Sequence, residues 1–268
     1  MFLYLAMKRI MNYYLIELQY LGFRYHGWQK QPDVKTVENQ LRKTLGFVLP
    51  DIRTKVIAAG RTDAMVSVNK TFIELFVYEA DLPEDFFERF NLNLPADIRA
   101  ISIEKVDEKF NIIQHPKQKE YAYFFTFPEK VHPFCAPYMT TIQDHLNLEL
   151  MQEAARLFEG EHDFYSYAFR PKPTTQTQGK IDFCKIETNT QYTANFFPEN
   201  SYVLRVKGNG FKRHQIRLMM GVLIDLGKGK IDLDFVKQTL DGSQKVKLEH
   251  VAPASGLQLY DVQLTKGF

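Results

Sequence analysis

The sequence predicts an α+β fold made of two similar halves. Three observations carry this reading. Strand-like and helix-like segments follow one another in the same order twice, the strands are rich in Tyr, Phe, Ile and Val, and polar stretches separate the halves. In the first half Tyr13 to Tyr20 alternates as a strand does. Thr36 can cap a helix that carries Val37, Leu41, Leu45 and Val48 on one face. Val56 to Ala59 and Phe72 to Val77 read as strands, Pro83 opens a short helix through Phe86, Phe87 and Phe90, and Ile98 to Val106 closes the set. The second half starts near Lys119, where Tyr121, Tyr123, Phe125 and Phe127 share a strand face. A helix follows with Leu150, Met151, Ala154, Leu157 and Phe158, stopped by Gly160. Strands are expected at Phe183 to Thr188 and Tyr202 to Lys207, helices at Phe211 to Leu226 and Asp232 to Leu240, and a last strand at Leu257 to Leu264. Each half thus approximates βαββαβ, the ferredoxin-like arrangement, with antiparallel strands and helices on one face. The division expected is a disordered leader at 1–11, an N-terminal half at 12–112 and a C-terminal half at 113–268.

A chain of 268 residues is long enough to bury real cores. The net charge of +2 does not by itself call for nucleic acid, so any basic footprint must be local. Aromatic residues make up 14% of the chain and serve either as core or as stacking faces for bases. Cys135 and Cys184 stand far apart and form neither a disulfide framework nor a zinc pattern, and the 7 histidines are scattered; no metal is expected. The apolar start, Met1 to Met7, is followed rather than preceded by its charges, Lys8 and Arg9, the reverse of a secretory signal. No run is long enough for a membrane span. The expected location is cytoplasmic, with Met7 or Met11 as possible starts.

The chemistry-bearing segment is Ala59-Gly60-Arg61-Thr62-Asp63-Ala64, which follows an apolar strand. An Asp there either caps a turn or is a catalytic carboxylate on a rigid element. A second segment, Gly208 to Arg217, places Lys212, Arg213, His214 and Arg217 in the expected first turns of a helix, where cations and free N–H groups suit phosphate. It lacks the third glycine of a dinucleotide fingerprint. Arg217 shares a helical stripe with Met220, Gly221 and Ile224. A cation entering an apolar face needs a carboxylate partner; that partner is either some structural acid or Asp63. Tyr121 is either core or an active-site ring. Arg24, within Phe23 to Lys30, lies in a solvated loop or one that guides an RNA backbone.

Taken together, these segments resemble the tRNA pseudouridine synthase A family from about Tyr13 to Leu264. The likeness is carried by Gly27-Trp28-Gln29, Thr36-Val37-Glu38, Gly60-Arg61-Thr62-Asp63-Ala64, Asn91 to Ile98 and Tyr121-Ala122-Tyr123. It continues through Gly160 to Phe164, Gly208 to Gly221 and Ala254 to Leu259. The resemblance implies that Asp63 is the catalytic aspartate, Tyr121 the active-site tyrosine and Arg217 the ion-pair partner of the aspartate. It implies that Arg61 assists flipping of the target base and that Leu257 is an apolar contact near the site; Arg24, Lys212, Arg213 and His214 are the accompanying RNA-binding candidates. The implied architecture is two ferredoxin-like halves around a central cleft, assembled as a homodimer that binds tRNA. The implied reaction isomerises uridine in the anticodon arm (positions 38–40 in tRNA numbering) without cofactor or metal. The alternatives are the same chemistry on another RNA, or RNA binding without catalysis. The chain departs from the family pattern at Met65 (Gly expected), at Ser67 (His expected), at Ile113-Gln114-His115-Pro116, and after Thr177, where an arginine is expected.

Overall fold

A computed structural model describes residues 11–115, 117–242 and 245–264. Of the leader expected at 1–11, residues 1–10, with the alternative start Met7, lie outside the described residues, as does Pro116, while Met11 opens the first strand. The N-terminal elements are β1 (Met11–Tyr20), α1 (Val37–Val48), β2 (Thr54–Ala58), β3 (Ser67–Tyr78), α2 (Phe86–Asn93) and β4 (Ile98–Val106). There follow β5 (Lys117–Thr126), β6 (Thr140–Thr141), α3 (Leu148–Arg156), β7 (Gly160–Asp163), β8 (Gln178–Thr188) and β9 (Tyr202–Gly208). The last three are α4 (Gln215–Gly227), α5 (Leu233–Leu240) and β10 (Leu257–Leu264). The chain is therefore α+β, as expected, and β6 and β7 are two short strands that the sequence pattern did not reveal.

The strands form one sheet, mostly antiparallel, in the order β4-β1-β3-β10-β5-β9-β8-β7. The N-terminal set reads β4-β1-β3-β2, because β2 lies on the edge of β3 away from β1; the C-terminal set repeats it as β10-β5-β9-β8. Both are ferredoxin-like. The halves join where Gln258 and Leu259 of β10 pair in parallel with Ser67 and Val68 at the start of β3. β2 pairs only with the far end of β3, through Ala58 opposite Ile73. The loop 59–66 therefore springs from the point where β2 ends and β10 enters.

Side-chain alternation explains the packing. Tyr14, Ile16, Leu18 and Tyr20 of β1 join Ile73, Leu75 and Val77 of β3 against Leu41 and Leu45 of α1 and Phe86 and Phe90 of α2. Thr36 caps α1 by accepting the Asn39 N–H, as its sequence position predicts. The second core sets Tyr123 and Phe125 of β5 with Leu204 and Val206 of β9 against Met151 and Ala154 of α3 and most of α4. Because α4 is buried nearly all round, the segment 247–253 can cross it only where a side chain is missing. Gly221 supplies that gap: a Cβ there would overlap the His250 carbonyl oxygen. Gly46 of α1 faces open space. Gly221→Ala is expected to destabilise the protein by about 1–3 kcal/mol in urea unfolding. Gly46→Ala is expected to stabilise it by about 0.5–1 kcal/mol; equal effects would contradict this packing.

Candidate active site

The loop bearing Asp63 is held from two sides. The buried rings of Tyr25 and Trp28 anchor the preceding loop in the N-terminal core. From there Trp28 N–H donates to the Thr62 carbonyl at 3.0 Å, and Met65 N–H donates to the Tyr25 carbonyl at 2.9 Å. Gly27, at φ +87°, brings the two backbones together; a Cβ would meet the Thr62 carbonyl oxygen at 2.7 Å. Inside the fold, the Tyr20 hydroxyl bonds the Thr62 hydroxyl at 2.8 Å. Met65 sits at φ +66°. That left-handed conformation is why a glycine suits this position and why methionine there carries strain. Ser67 accepts the Gly22 N–H at 2.9 Å and ties the turn at 22–24 to β3.

From the C-terminal half, the loop after β9 approaches this carboxylate. His214 Nε2 lies 3.2 Å from Asp63 Oδ2. Arg217 does not make the direct ion pair expected from the sequence. Its Nε donates to the Ala252 carbonyl at 2.7 Å, and Ala252 N–H returns a bond to the Arg217 carbonyl at 3.1 Å. Among the described residues the direct partner of Asp63 is His214, while Arg217 and Arg213 act on it through their charge. The reason lies in the helix start. His214 adopts φ +58°, a left-handed conformation that no α-helix interior accepts, so α4 begins at Gln215 rather than at Phe211. Lys212, Arg213 and His214 thus belong to the approaching loop and not to the first helical turn.

Burial alone would raise the Asp63 carboxyl. The hydrogen bond from His214, then the charges of His214, Arg217 and Arg213, outweigh it and hold the group below the ordinary carboxylate range. His214 lies tilted against Phe169, ring centroids 4.5 Å apart, and its buried Nδ1 has no partner among the described residues. The Nε2–H is the group that faces the carboxylate. Tyr121 lies on β5 opposite Leu259, edge-on to Phe211 at 5.2 Å. Burial, then the charge of Asp63, push its hydroxyl up to about 12, so the phenol keeps its proton. Leu257 is buried in the apolar cluster against which Tyr121 packs.

The other candidates are distributed around this centre. Arg61 reaches outward and donates to Gln29 Oε1 at 3.0 Å. Arg213 lies over the Phe169 ring at 5.2 Å, and Arg170 faces the same ring at 5.1 Å. Lys212 Nζ donates to the Gln178 carbonyl at 2.9 Å. Arg24 is committed to Asp97, with Nη2 at 2.7 Å from Oδ2, so its charge is already matched. Two participants escaped the sequence reading: the direct contact of His214 with Asp63 and the Phe169 platform beneath that imidazole. Neither leaves a periodic signal, because each arises from loops far apart in the chain. Among the described residues, no group of three or more His, Cys, Asp or Glu is placed to hold a metal ion.

Removing the imidazole leaves burial less opposed. The Asp63 carboxyl of His214→Ala is therefore expected to titrate at higher pH than in wild type, read by carboxyl-carbon NMR. A depressed carboxylate stabilises the fold above its unfolded pKa, and that contribution disappears as pH falls through the folded value. An unchanged or lower titration point in the variant would refute the role given to His214.

The comparisons with known proteins identify the family. The family model described as tRNA pseudouridine synthase matches residues 154–264. A tRNA pseudouridine synthase A of Oenococcus oeni is 32% identical over 256 residues, covering 94% of this chain and 98% of the relative. A tRNA pseudouridine synthase A 2 of Bacillus cereus is 29% identical over 257 residues, covering 94% and 100%. The tRNA pseudouridine synthase A of Aquifex aeolicus is 28% identical over 252 residues, covering 94% and 99%. With a core, a sheet junction and a loop-borne aspartate of this kind, and relatives matched along nearly their whole length, the chain belongs to the tRNA pseudouridine synthase A family of enzymes.

Proposed function

We propose that this chain isomerises uridine to pseudouridine in the anticodon arm of tRNA, that the reaction depends on Asp63, and that it needs no cofactor. One observation carries the reading. An ionised carboxylate is fixed at the junction of the two halves, hydrogen-bonded to His214 and electrostatically coupled to the protonated ring of Tyr121. A carboxylate is the group required to break the N-glycosidic bond, whose cleavage leaves positive charge on the sugar and negative charge on the uracil. The detached uracil turns and rejoins through carbon 5; that carbon loses its proton, and N1, freed from the sugar, gains one. No redox step occurs, and the atoms of substrate and product are the same.

A base inside a stack cannot reach Asp63, so the target nucleotide must leave the RNA, at a cost of a few kcal/mol. In this reading Arg61, exposed at the entrance, fills the gap, and Tyr121 supplies the stacking face. Lys212 and Arg213 flank the loop and meet phosphates. The homodimer implied by the resemblance and the cytoplasmic setting expected from the sequence form part of the same proposal; sedimentation of the purified protein tests the former. No helix among the described residues is long and apolar enough to cross a membrane.

A pseudouridine map of unmodified tRNA after incubation with wild type and with Asp63→Ala tests the proposal. Wild type is expected to convert uridines of the anticodon arm. The variant is expected to convert none while binding tRNA within about tenfold of wild type, ~1.4 kcal/mol. Near-normal turnover by folded Asp63→Ala would remove the catalytic assignment, and conversion elsewhere in the RNA would remove the anticodon arm as target.

A further inference from the structure

Lys119 has no role in the site as described so far. It lies on β5 two residues before Tyr121, and alternation places the two side chains on the same sheet face. Its strand neighbours are Val262 of β10 and Gly208 of β9, the residue that opens the loop toward His214. The ammonium is pressed against the loop that bears Asp63: a Cβ built on Gly60 would lie 2.7 Å from Lys119 Nζ. The ammonium thus lies against the backbone of Gly60, on the loop that carries Asp63. The side chain is half-buried, yet its ammonium makes no hydrogen bond or ion pair with any described residue. Burial, then the neighbouring Lys117 charge, hold its pKa below the ordinary lysine range. Arg217, the other cation at this depth, has a carbonyl acceptor and the field of Asp63. Lys119 has neither.

A partly desolvated cation without a partner costs stability, and the fold gains nothing from it. An anion arriving with the substrate would supply the missing interaction. We propose that Lys119 is an anion receptor of the active site, held unpaired for a backbone phosphate of the nucleotide that enters beside Tyr121. The proposal rests on the RNA-modifying reading above and adds a positioning contact to it. A phosphodiester is the fitting partner because it is a permanent anion, present before and after bond cleavage, and every nucleotide brings one. The uracil released during the reaction is charged only transiently, and a contact to it would act on the chemical step instead.

The test uses the full chain as wild type, Lys119→Met and Lys119→Gln, with unmodified tRNA as the probe. Three quantities are measured: urea stability, tRNA affinity across a salt series, and the single-turnover rate of bound tRNA. Lys119→Met is expected to be at least as stable as wild type while binding tRNA about tenfold more weakly. The slope of log affinity against log salt should fall by about 1. Lys119→Gln should repeat the affinity and slope changes, and the rate of bound tRNA should stay within a few fold. Unchanged affinity and slope in both variants would overturn the proposal. A loss confined to the bound-state rate would also overturn it and assign the ammonium to the departing base. Should wild type bind tRNA yet form no pseudouridine, the catalytic reading would fail, while the affinity and slope would still decide the role of Lys119.

Discussion

The 3.2 Å contact between His214 and Asp63 is the interaction on which the site depends. It links two loops that no local sequence relation brings together, one between β2 and β3, the other between β9 and α4. Each side gives up something to make it. Asp63 is half-buried, His214 takes a left-handed backbone at about 1–3 kcal/mol, and Nδ1 of the imidazole is left without a partner. Such costs persist only where the surroundings over-determine the geometry. Here the surroundings are the Tyr25–Trp28 buttress beneath the aspartate and the Phe169 ring beneath the histidine.

Arg217 contributes in a different manner. Its guanidinium is secured by the Ala252 carbonyl, and the segment that carries Ala252 is itself fastened to α4. His250 Nδ1 reaches Asp225 at 3.0 Å, and Gly221 leaves room for the crossing. The Tyr123 hydroxyl donates to the Pro253 carbonyl at 2.8 Å and closes the same strap onto β5. Arg217 therefore imposes a fixed positive field on Asp63 without occupying either of its oxygens. In the proposed reaction Oδ1 is left for substrate while the carboxylate remains ionised, a state that burial alone would oppose.

How much of this was legible in the sequence follows from the range of the forces involved. Periodicity reports contacts within one element, and it placed every strand but the short β6 and β7, Thr36 as a cap and the repeat of βαββαβ. It placed α4 four residues early, because Phe211 to His214 are compatible with a helix in composition, and only the approach to Asp63 forces His214 left-handed. The family resemblance singled out Asp63, Tyr121 and Arg217 as a group, and the fold does bring them to one place. It could not distinguish an arginine that bonds the carboxylate from one that acts on it through space. That distinction depends on the Ala252 carbonyl, 35 residues away in the chain.

The electrostatic balance explains how a chain of net charge +2 can serve a polyanion. The charges are unevenly arranged rather than numerous. Arg24 is matched by Asp97 and Arg205 by Glu120, so much of the surface cancels locally. Around the Asp63 loop the cancellation is incomplete: one carboxylate faces Arg213 and Arg217, and Lys119 behind Gly60 pairs with no acid among the described residues. Partly buried charges of this kind act on a nearby anion more strongly than the same charges would on an open surface. An unliganded site of this kind is less stable than its packing would permit. In the proposal made above, RNA supplies the anions it lacks, and the tension is relieved when substrate is in place.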